Sequence, residues 1–337
     1  MKLNKIFTSN MVFPGHKPVR IYGTGKGKVE ISFADCKKEL TSFSENWMVE
    51  FPAMEYGGPY TMEVKFEDAN VTLNNIYIGE VFLFAGQSNM EFKMKETNFP
   101  KENYTSNDKI RLFSTDRIEK NKDIFTSDDG WVMCDKKDVD NWSALAYLTS
   151  SEIAKQNDIA IGVIVCYQGA SVIESWVPNG AFKNIGIDLT DNEKFNDHIN
   201  EKYSAWNGDG VLYNFAFSQV VPYSLSSVVW YQGESDTSDD EGKVYLNELC
   251  ELIKIWRTDL LDENLPFVIV QIADCIRRMT PGWILVQKAQ KDIEEKISNV
   301  KTVISKDVCE TDEIHPKTKD KLAKRIGESL MKICNMG

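Results

Sequence analysis

Hydrophobic and polar positions alternate along the first 75 residues, in short segments that turn-forming residues separate. The alternating segments lie at residues 19–22, 28–33, 47–51, 60–66 and 71–73. Alternation with a period of two residues is typical of strands that bury one face. No helical pattern interrupts these segments, so residues 1–75 are predicted to form a small all-β sandwich lobe.

Downstream of residue 75 the pattern changes to short apolar runs that alternate with longer helical segments. This order is typical of a parallel sheet covered by helices on both faces, and it predicts an α/β domain over residues 76–337. The polar and aromatic segment 189–210 has no clear period and is predicted to be a rim loop over a site. The predicted strands are residues 76–85, 110–113, 159–166, 227–231, 266–272 and 300–304, and the predicted helices are residues 144–156, 211–220, 243–259, 283–297 and 318–333.

Composition and charge narrow the classes of partner. The chain of 337 residues has a formal net charge of −12, which argues against nucleic acid or an anionic membrane as a partner. No stretch of eighteen apolar residues predicts a membrane span. The seven cysteines are scattered without a C-x-x-C pair, which favours reduced thiols over a disulfide framework or a zinc site. The N-terminal residues lack an apolar run of signal-peptide length, so a cytoplasmic location is expected.

A serine follows a short apolar run at the end of a predicted strand. The run 81–85 reads V-F-L-F-A and ends at the turn-forming residues Gly86, Gln87, Ser88 and Asn89. At the carboxyl end of a parallel strand, where α/β sheets bind ligands, a serine hydroxyl can be exposed beside backbone N–H groups. A nucleophilic serine needs this environment. The alternative is that Ser88 only caps a helix and Asn89 completes the turn.

Two further turns follow predicted strands. After residues 159–166 comes Gly169, at which a backbone N–H can approach a ligand closely, although the turn can equally be a plain strand-to-helix connection. After residues 227–231 comes Gln232, whose side-chain amide could donate a hydrogen bond to an oxyanion. Glu234 in the same loop is expected to accept hydrogen bonds that hold the loop, and the alternative is a merely solvated polar loop. Trp176 is expected to be a wall or core aromatic.

A histidine completes the set of candidate residues. His315 is one of three histidines in the chain and lies in a loop after the last predicted strand. A carboxylate at Asp312 could hold the ring Nδ1–H, which would leave Nε2 to accept a serine proton. Pro316 favours a helix start directly after the histidine. A half-exposed structural histidine is the alternative.

The combination is more informative than its parts. Ser88, Gly169, Gln232 and the pair Asp312/His315 all follow predicted strands of one sheet. In chain order they provide a nucleophile, two donors to an oxyanion, and a base with its orienting acid. The G-x-S-x-G motif of α/β-hydrolases is absent. The pattern therefore predicts a serine hydrolase of another fold.

These motifs identify a family by resemblance. The sequence resembles the sialate O-acetylesterase family of SGNH-type carbohydrate esterases, which also includes acetylxylan esterases. The resemblance extends over nearly the whole chain. It is carried above all by G-E-V-F-L-F-A-G-Q-S-N-M-E at residues 79–91, G-A-S-V-I-E-S-W at 169–176, V-V-W-Y-Q-G-E-S-D at 228–236 and D-E-I-H-P at 312–316.

The resemblance implies a flavodoxin-like three-layer α/β sandwich of the SGNH hydrolase type, with the β lobe attached. It implies a serine esterase that removes O-acetyl groups from sugars through an acetyl-enzyme, with no cofactor and no metal. Ser88 would be the nucleophile and His315 the base. The N–H groups of Ser88 and Gly169 and the amide of Gln232 would bind the oxyanion, while Gln87, Asn89, Glu234 and Trp176 would support the site or contact the sugar.

The chain departs from the family pattern at two positions near the site. Family members commonly have a second glycine where this chain has Ala170. They often carry the orienting acid two residues before the histidine, at Glu313 here, whereas related esterases use the position of Asp312, which we favour. The chain also lacks the inserted segment of the longer sialate-type members, so the acetylated sugar is left open.

Two other functions are compatible with the same residues. One is a carbohydrate-binding protein that kept the scaffold without catalysis, and the other is acetyl transfer to a second sugar instead of water. Sialate and xylan-type substrates are not separated by the sequence. Arg277 and Arg278 follow a predicted strand and are candidates to bind a sialate carboxylate, but exposed basic residues commonly lie on the surface without such a role.

Overall fold

The computed structural model describes residues 1–118, 125–188 and 203–336, and within them the chain is a mixed α/β protein with a large central sheet. Residues 189–202 of the predicted rim loop lie outside the described residues. The strands are β1 (Lys2–Leu3), β2 (Val12–Pro14), β3 (Val19–Thr24), β4 (Gly27–Phe33), β5 (Cys36–Ser42), β6 (Asn46–Phe51), β7 (Gly57–Phe66), β8 (Asn70–Gly86), β9 (Asn107–Ser114), β10 (Val132–Cys134), β11 (Ile161–Tyr167), β12 (Ser227–Tyr231), β13 (Phe267–Val270) and β14 (Val300–Val303). The α-helices are α1 (Ser88–Glu91), α2 (Ala144–Ala154), α3 (Ala181–Asn184), α4 (Ser204–Asn207), α5 (Val211–Phe215), α6 (Asp239–Asp259), α7 (Pro281–Lys296) and α8 (Asp320–Ile333).

The central sheet has the strand order β10-β9-β11-β8-β12-β13-β14. All neighbouring pairs are parallel except the edge pair of β10 with β9. Every residue of β11, β12 and β13 is buried, as expected for a parallel sheet covered on both faces. Gly86 at the end of β8 lies opposite Tyr167 of β11 and Tyr231 of β12. The carboxyl ends of the three middle strands therefore meet at one edge, where the predicted site residues follow.

Strand β8 connects the two parts of the chain. Its first half pairs with β7, and its second half pairs with β11 and β12. The predicted domain border between residues 75 and 76 therefore falls inside one continuous strand of 17 residues. The division into two domains stays a prediction, since β pairing continues through the border.

The predicted alternation before residue 75 is found in the structure. Strands β4 and β6 bury every second side chain, as the hydrophobic pattern requires. Strand β5 was not predicted, because its sequence, C-K-K-E-L-T-S, buries only its last residue. It pairs with β4 alone and lies at an edge, where charged lysines are tolerated.

The N-terminal strands pack tightly against the α/β part. The rings of Phe13 and Tyr223 are stacked with centroids 5.3 Å apart, and the Tyr223 hydroxyl donates to the Val12 carbonyl at 2.6 Å. Arg20 is buried and donates to the Leu260 carbonyl at 3.0 Å. The contact therefore combines an aromatic cluster with hydrogen bonds that satisfy buried polar groups.

Capping residues fix where two of the long helices begin. Helix α6 starts four residues before the predicted position, because the Ser238 side chain accepts from the N–H of Glu241 and Glu241 reciprocates as a capping box. Helix α7 follows the cap Thr280 and has Pro281 at its start. The predicted helix 211–220 is divided into α5 and a short 3₁₀ turn, Phe217–Gln219. Among the described helices, none is long and apolar enough to cross a membrane.

Candidate active site

Ser88 is positioned by a tight turn at the end of β8. Gly86 has a φ of 136°, and a Cβ atom there would approach the Tyr231 carbonyl oxygen to 2.1 Å, so only glycine fits. The turn is held by the Gln87 N–H, which donates to the same carbonyl at 3.0 Å. Ser88 is then the first residue of α1, and at that position a backbone N–H has no partner within the helix.

The structure brings the predicted base to this serine. His315 Nε2 lies 2.8 Å from Ser88 Oγ, although the two residues are 227 positions apart in the chain. Burial of the ring, followed by the positive charge of Lys319, lowers the pKa of His315 below its usual value. The imidazole is therefore neutral at neutral pH and can accept the serine proton.

The loop that carries His315 is held through its backbone. Asn89, the neighbour of the nucleophile, donates from Nδ2 to the Ile314 carbonyl at 3.0 Å. Asp312 and Glu313 are exposed, and the structure gives neither of these described residues a hydrogen bond or ion pair with the histidine. The orienting role predicted for Asp312, and the alternative at Glu313, therefore have no contact that supports them.

A glutamate that the sequence analysis missed lies between the nucleophile and the predicted glycine donor. Glu91 Oε2 accepts the Gly169 N–H at 3.0 Å, and both carboxylate oxygens accept from Arg117, at 2.8 and 2.9 Å. A Cβ atom built on Gly169 would lie 3.6 Å from Ser88 Cβ. The Gly169 N–H is thus beside the nucleophile, as predicted, but it is occupied by a carboxylate. Glu91 could have been found by its place three residues after Ser88, on the same helical face.

The site opens into a cleft of about 380 Å³, a volume within the range of small-ligand sites. Five predicted site residues line it: Gln87, Ser88, Gly169, Glu234 and His315. Arg278 also lines the cleft, whereas its neighbour Arg277 does not. The lining residues that the sequence analysis did not assign to the site are Glu91, Arg117, Gln168, Ala170, Tyr203, Trp206, Ser235 and Ile314.

Comparison with known proteins identifies the family of this chain. Residues 78–334 match the model of a family described as carbohydrate esterase, sialic acid-specific acetylesterase. The chain belongs to this family. The predicted resemblance is therefore confirmed, and the matched region includes every catalytic residue predicted from the sequence.

Curated relatives show the same family over most of this chain. The chain is similar to the sialate O-acetylesterase of Homo sapiens, with 24% identity over 325 residues that cover 86% of this chain and 61% of the human protein. It is similar to the Mus musculus sialate O-acetylesterase, with 24% identity over 91% of this chain and 68% of that protein. The chain thus spans about three fifths of the human relative's length.

A solved structure shares the fold. The carbohydrate acetylesterase XAC1771 from Xanthomonas citri superposes with a TM-score of 0.84 and 21% sequence identity. The match covers 100% of this chain and 76% of the other. It therefore includes the N-terminal strands as well as the α/β part.

Gln232, the second oxyanion donor predicted from the sequence, faces away from the cleft. Its side-chain Nε2 donates to the Ser171 carbonyl at 2.9 Å and to the Asp236 carboxylate, and its Oε1 accepts from the Tyr245 hydroxyl at 2.8 Å. The residue is fully buried and does not line the cleft. The amide group therefore has its hydrogen bonds satisfied inside the protein, and this position is structural.

We expect the variant Gln232→Ala to lose stability more than catalysis. Three buried groups lose a partner, which should lower the free energy of unfolding by about 2–4 kcal/mol. Thermal unfolding and kcat at low temperature would be measured together, with Gln156→Ala as a control at an exposed glutamine. An oxyanion donor would behave oppositely, with kcat lowered about 10²–10³-fold at an unchanged melting temperature.

The other predicted supporting residues divide between the site and the core. Gln87 is buried, and its Oε1 accepts the Gly233 N–H at 3.1 Å, which ties the nucleophile turn to the next loop. Glu234 accepts from Asn89 Nδ2 at 2.5 Å and lines the cleft, so it holds the loop as predicted. Trp176 is fully buried against Trp230 and does not reach the cleft. Its place among the substrate-contacting residues is therefore corrected to the core.

The departure at Ala170 has a conformational consequence. Ala170 has a φ of 54°, in the left-handed region that favours glycine. Its carbonyl accepts from Asn207 Nδ2 at 2.9 Å, which helps to hold this turn. The family's usual glycine at this position avoids a steric cost that Ala170 retains.

Four carboxyl groups are buried behind the Gln232 loop. Neither oxygen of Glu174 or of Glu248 has a hydrogen-bond partner in the described part of the chain, and Asp236 and Glu241 lie near them. Burial raises the pKa of Glu174 to about 8 and raises the pKa of Glu248 well above its usual value. Since a buried carboxylate without a partner is costly, Glu174 and Glu248 hold protons at mildly acidic pH.

The double variant Glu174→Gln/Glu248→Gln should stabilise the protein at alkaline pH. Because the folded-state pKa values are raised, the wild-type carboxyls contribute stability that is fully present below their unfolded pKa and is lost as pH rises through the folded values. The gain should be on the order of 3 kcal/mol near pH 9 and much smaller near pH 5. Urea unfolding at both pH values measures it, with exposed Glu67→Gln as control. An equal effect at both pH values would contradict the titration.

Proposed function

We propose that this protein is a serine carbohydrate esterase that removes O-acetyl groups from sugars through an acetyl-enzyme. The observation that carries the proposal is the 2.8 Å contact between Ser88 Oγ and His315 Nε2 in a cleft at the carboxyl edge of a parallel sheet. A hydroxyl and a neutral imidazole at this distance form the nucleophile and base of acyl transfer. Membership in the carbohydrate esterase family supports an acetylated sugar as the substrate class.

The first half of the reaction transfers the acetyl group to the enzyme. His315 Nε2 removes the Ser88 hydroxyl proton while Oγ attacks the acetyl carbonyl carbon, and the carbonyl oxygen becomes an oxyanion. When this intermediate collapses, the bond from the acetyl carbon to the sugar oxygen breaks, and the sugar oxygen takes the proton from His315. Water repeats the sequence on the acetyl-enzyme and releases acetate, which restores the free serine.

The oxyanion requires donors that are free when the intermediate forms. The Ser88 N–H meets this condition, because it precedes the first hydrogen bonds of α1. The Gly169 N–H can serve as the second donor only after Glu91 releases it. We propose that the Glu91 carboxylate, which also pairs with Arg117, moves off this N–H when the substrate binds. We therefore assign the oxyanion to Ser88 and Gly169 and leave Gln232 in its structural position.

The strand order and the position of Ser88 also support a more specific fold type. We infer a flavodoxin-like three-layer sandwich of the SGNH hydrolase type, to which residues 1–75 add a β-sandwich lobe. The parallel order of the central strands and the position of Ser88 after the middle strand support this assignment. The cytoplasmic location expected from the sequence remains a prediction that cell fractionation would test.

Acetate release from O-acetylated sugars tests the function and selects the substrate. The panel contains O-acetylated sialate, acetylated xylan oligosaccharides and p-nitrophenyl acetate, with mass spectrometry of rapidly quenched enzyme to find an acetyl group on the Ser88 peptide. We expect turnover of at least one sugar and a trapped acetyl-serine. Sugar binding without acetate release would favour the carbohydrate-binding function, and transfer of the acetyl group to added sugar would favour the transferase.

A further inference from the structure

A buried lysine lies directly behind the nucleophile and its base. Lys319 is only 1% exposed, and its Nζ donates to Asn89 Oδ1 at 2.8 Å. The ammonium group also lies 4.9 Å from the centre of the Phe92 ring and 5.9 Å from that of Tyr231. Among the described residues no carboxylate forms an ion pair with it. Burial of a cation with so little compensation is costly and calls for a specific reason.

The contact with Lys319 determines how the Asn89 amide is oriented. An ammonium group only donates hydrogen bonds, so it faces the amide oxygen and never the NH₂ group. The two N–H bonds of Asn89 are then directed at the Ile314 carbonyl, at 3.0 Å, and at Glu234 Oε1, at 2.5 Å. All three contacts of the amide are therefore satisfied in one orientation.

This amide connects the helix that carries Ser88 to the loop that carries His315. Asn89 follows Ser88 in α1, and Ile314 precedes His315 in the loop after β14. Among the described residues, neither Asp312 nor Glu313 has a hydrogen bond or ion pair with the imidazole. The position of His315 relative to Ser88 depends on the backbone at Ile314, and the Asn89 amide binds the carbonyl of that residue.

The charges around Lys319 and His315 come from several elements. Burial lowers the pKa of Lys319 to about 8, against the opposing effects of Cys309, Glu234, Glu310 and Glu96. Burial also raises the pKa of Cys309 to about 11, so that thiol stays neutral. The ring of His315 experiences, besides Lys319, the charges of Glu96, Arg278 and Glu313.

We propose that Lys319 is a positioning residue of the esterase, which orients the Asn89 amide and thereby holds the backbone of His315 in register with Ser88. The inference rests on the proposed function, since it concerns the same reaction. Lys319 touches neither the cleft nor the reacting atoms, and it acts entirely through Asn89 and through its charge.

Two variants separate the hydrogen bond from the charge. Lys319→Met removes both, and we expect kcat to fall about 10–100-fold with KM little changed, because a small displacement of the base is enough for such a loss. Lys319→Gln removes the charge but keeps an N–H donor that can face Asn89 Oδ1, so kcat should recover in part. The control is Lys317→Met, at an exposed lysine two residues earlier.

The pH profile gives a readout that a purely structural role would not move. Because the Lys319 charge lowers the pKa of His315, its removal raises that pKa, and the acidic limb of kcat should move to higher pH in both variants. NMR titration of His315 in the folded Lys319→Gln variant measures the same shift without activity, and only three histidines need assignment.

The outcomes distinguish this inference from the proposed function. Wild-type kcat in Lys319→Met, or a Lys319→Gln variant no more active than Lys319→Met, would overturn the positioning role. If His315 has the same pKa in Lys319→Gln as in the wild type, the Lys319 charge does not act on the imidazole, and that part of the inference is wrong. If Lys319→Met does not fold, the kcat and the His315 pKa of Lys319→Gln are compared with those of the wild type, and unchanged values would overturn the positioning role. If Ser88→Ala keeps full activity, the proposed mechanism through Ser88 fails, whatever Lys319 does.

Discussion

Replacement of Ser88 by alanine is expected to lower the rate of acetate release by at least about 10⁴-fold, to the level of residual catalysis without a nucleophile. The reason is that no acetyl-enzyme can form when Oγ is absent, while the cleft and its backbone donors remain. Among the described residues, the one hydrogen bond of Ser88 Oγ is to His315, so the fold should be unaffected. Acetate release from the best sugar of the panel, together with thermal unfolding, measures both effects.

Ser235→Ala is the matched control for this variant. Ser235 lines the same cleft, and its hydroxyl accepts from Gln87 Nε2 at 3.4 Å. Its loss should change kcat slightly. Equal activity of Ser88→Ala and wild type would remove Ser88 from the mechanism, and an equal loss in both serine variants would point to damage of the cleft instead of loss of a nucleophile.

Replacement of His315 by alanine is expected to have an effect of similar size. Without the imidazole the Ser88 hydroxyl keeps its proton, and the sugar oxygen has no acid to protonate it on departure. Because the two residues act as one unit, the double variant Ser88→Ala/His315→Ala should be no slower than either single variant. Imidazole added to the buffer should restore part of the activity of His315→Ala but none of that of Ser88→Ala.

The variants Asp312→Asn and Glu313→Gln complete this test. Neutralisation of the acid in a Ser-His-Asp triad costs roughly 10⁴-fold in kcat. Since neither residue contacts His315 in the structure, both variants should stay close to the wild-type rate. A loss of three or more orders of magnitude in one of them would show that this carboxylate reaches the ring during catalysis and would restore the predicted triad.

Much of the framework follows from local pattern. Strand β12 has the bounds predicted for it, and β11 and β14 differ from prediction by one or two residues at their ends. Fully buried strands carry long apolar runs, and such runs are visible in the sequence because burial on two faces excludes polar side chains. Strand β5 shows the converse. Its exposed polar side chains have no periodic hydrophobic signal, and only its pairing with β4 makes it a strand.

The site residues also divide into those that the sequence could predict and those that it could not. Three site residues could be predicted from the sequence: Ser88, Gly169 and His315. Each follows a buried strand, and the turn residues after such strands mark the edge of the sheet where the strand ends meet. Gln232 and Asp312 share that position in the sequence, but the direction of a side chain depends on its neighbours. The Gln232 amide turns inward because Ser171, Asp236 and Tyr245 offer it three buried partners.

By itself, the sequence predicted most strands of the central sheet, the long helices, the carboxyl-edge location of the site, and the candidates for its nucleophile and base. These properties depend on hydrophobic periodicity and on turn chemistry, which are local. Only the tertiary structure decided which polar groups face the reaction. The pairing of Glu91 with Arg117 and Gly169, and the link from Lys319 through Asn89 to the His315 loop, join residues far apart in the chain. Their partners are chosen by three-dimensional packing and by the need of buried polar groups for hydrogen bonds, which no sequence period records.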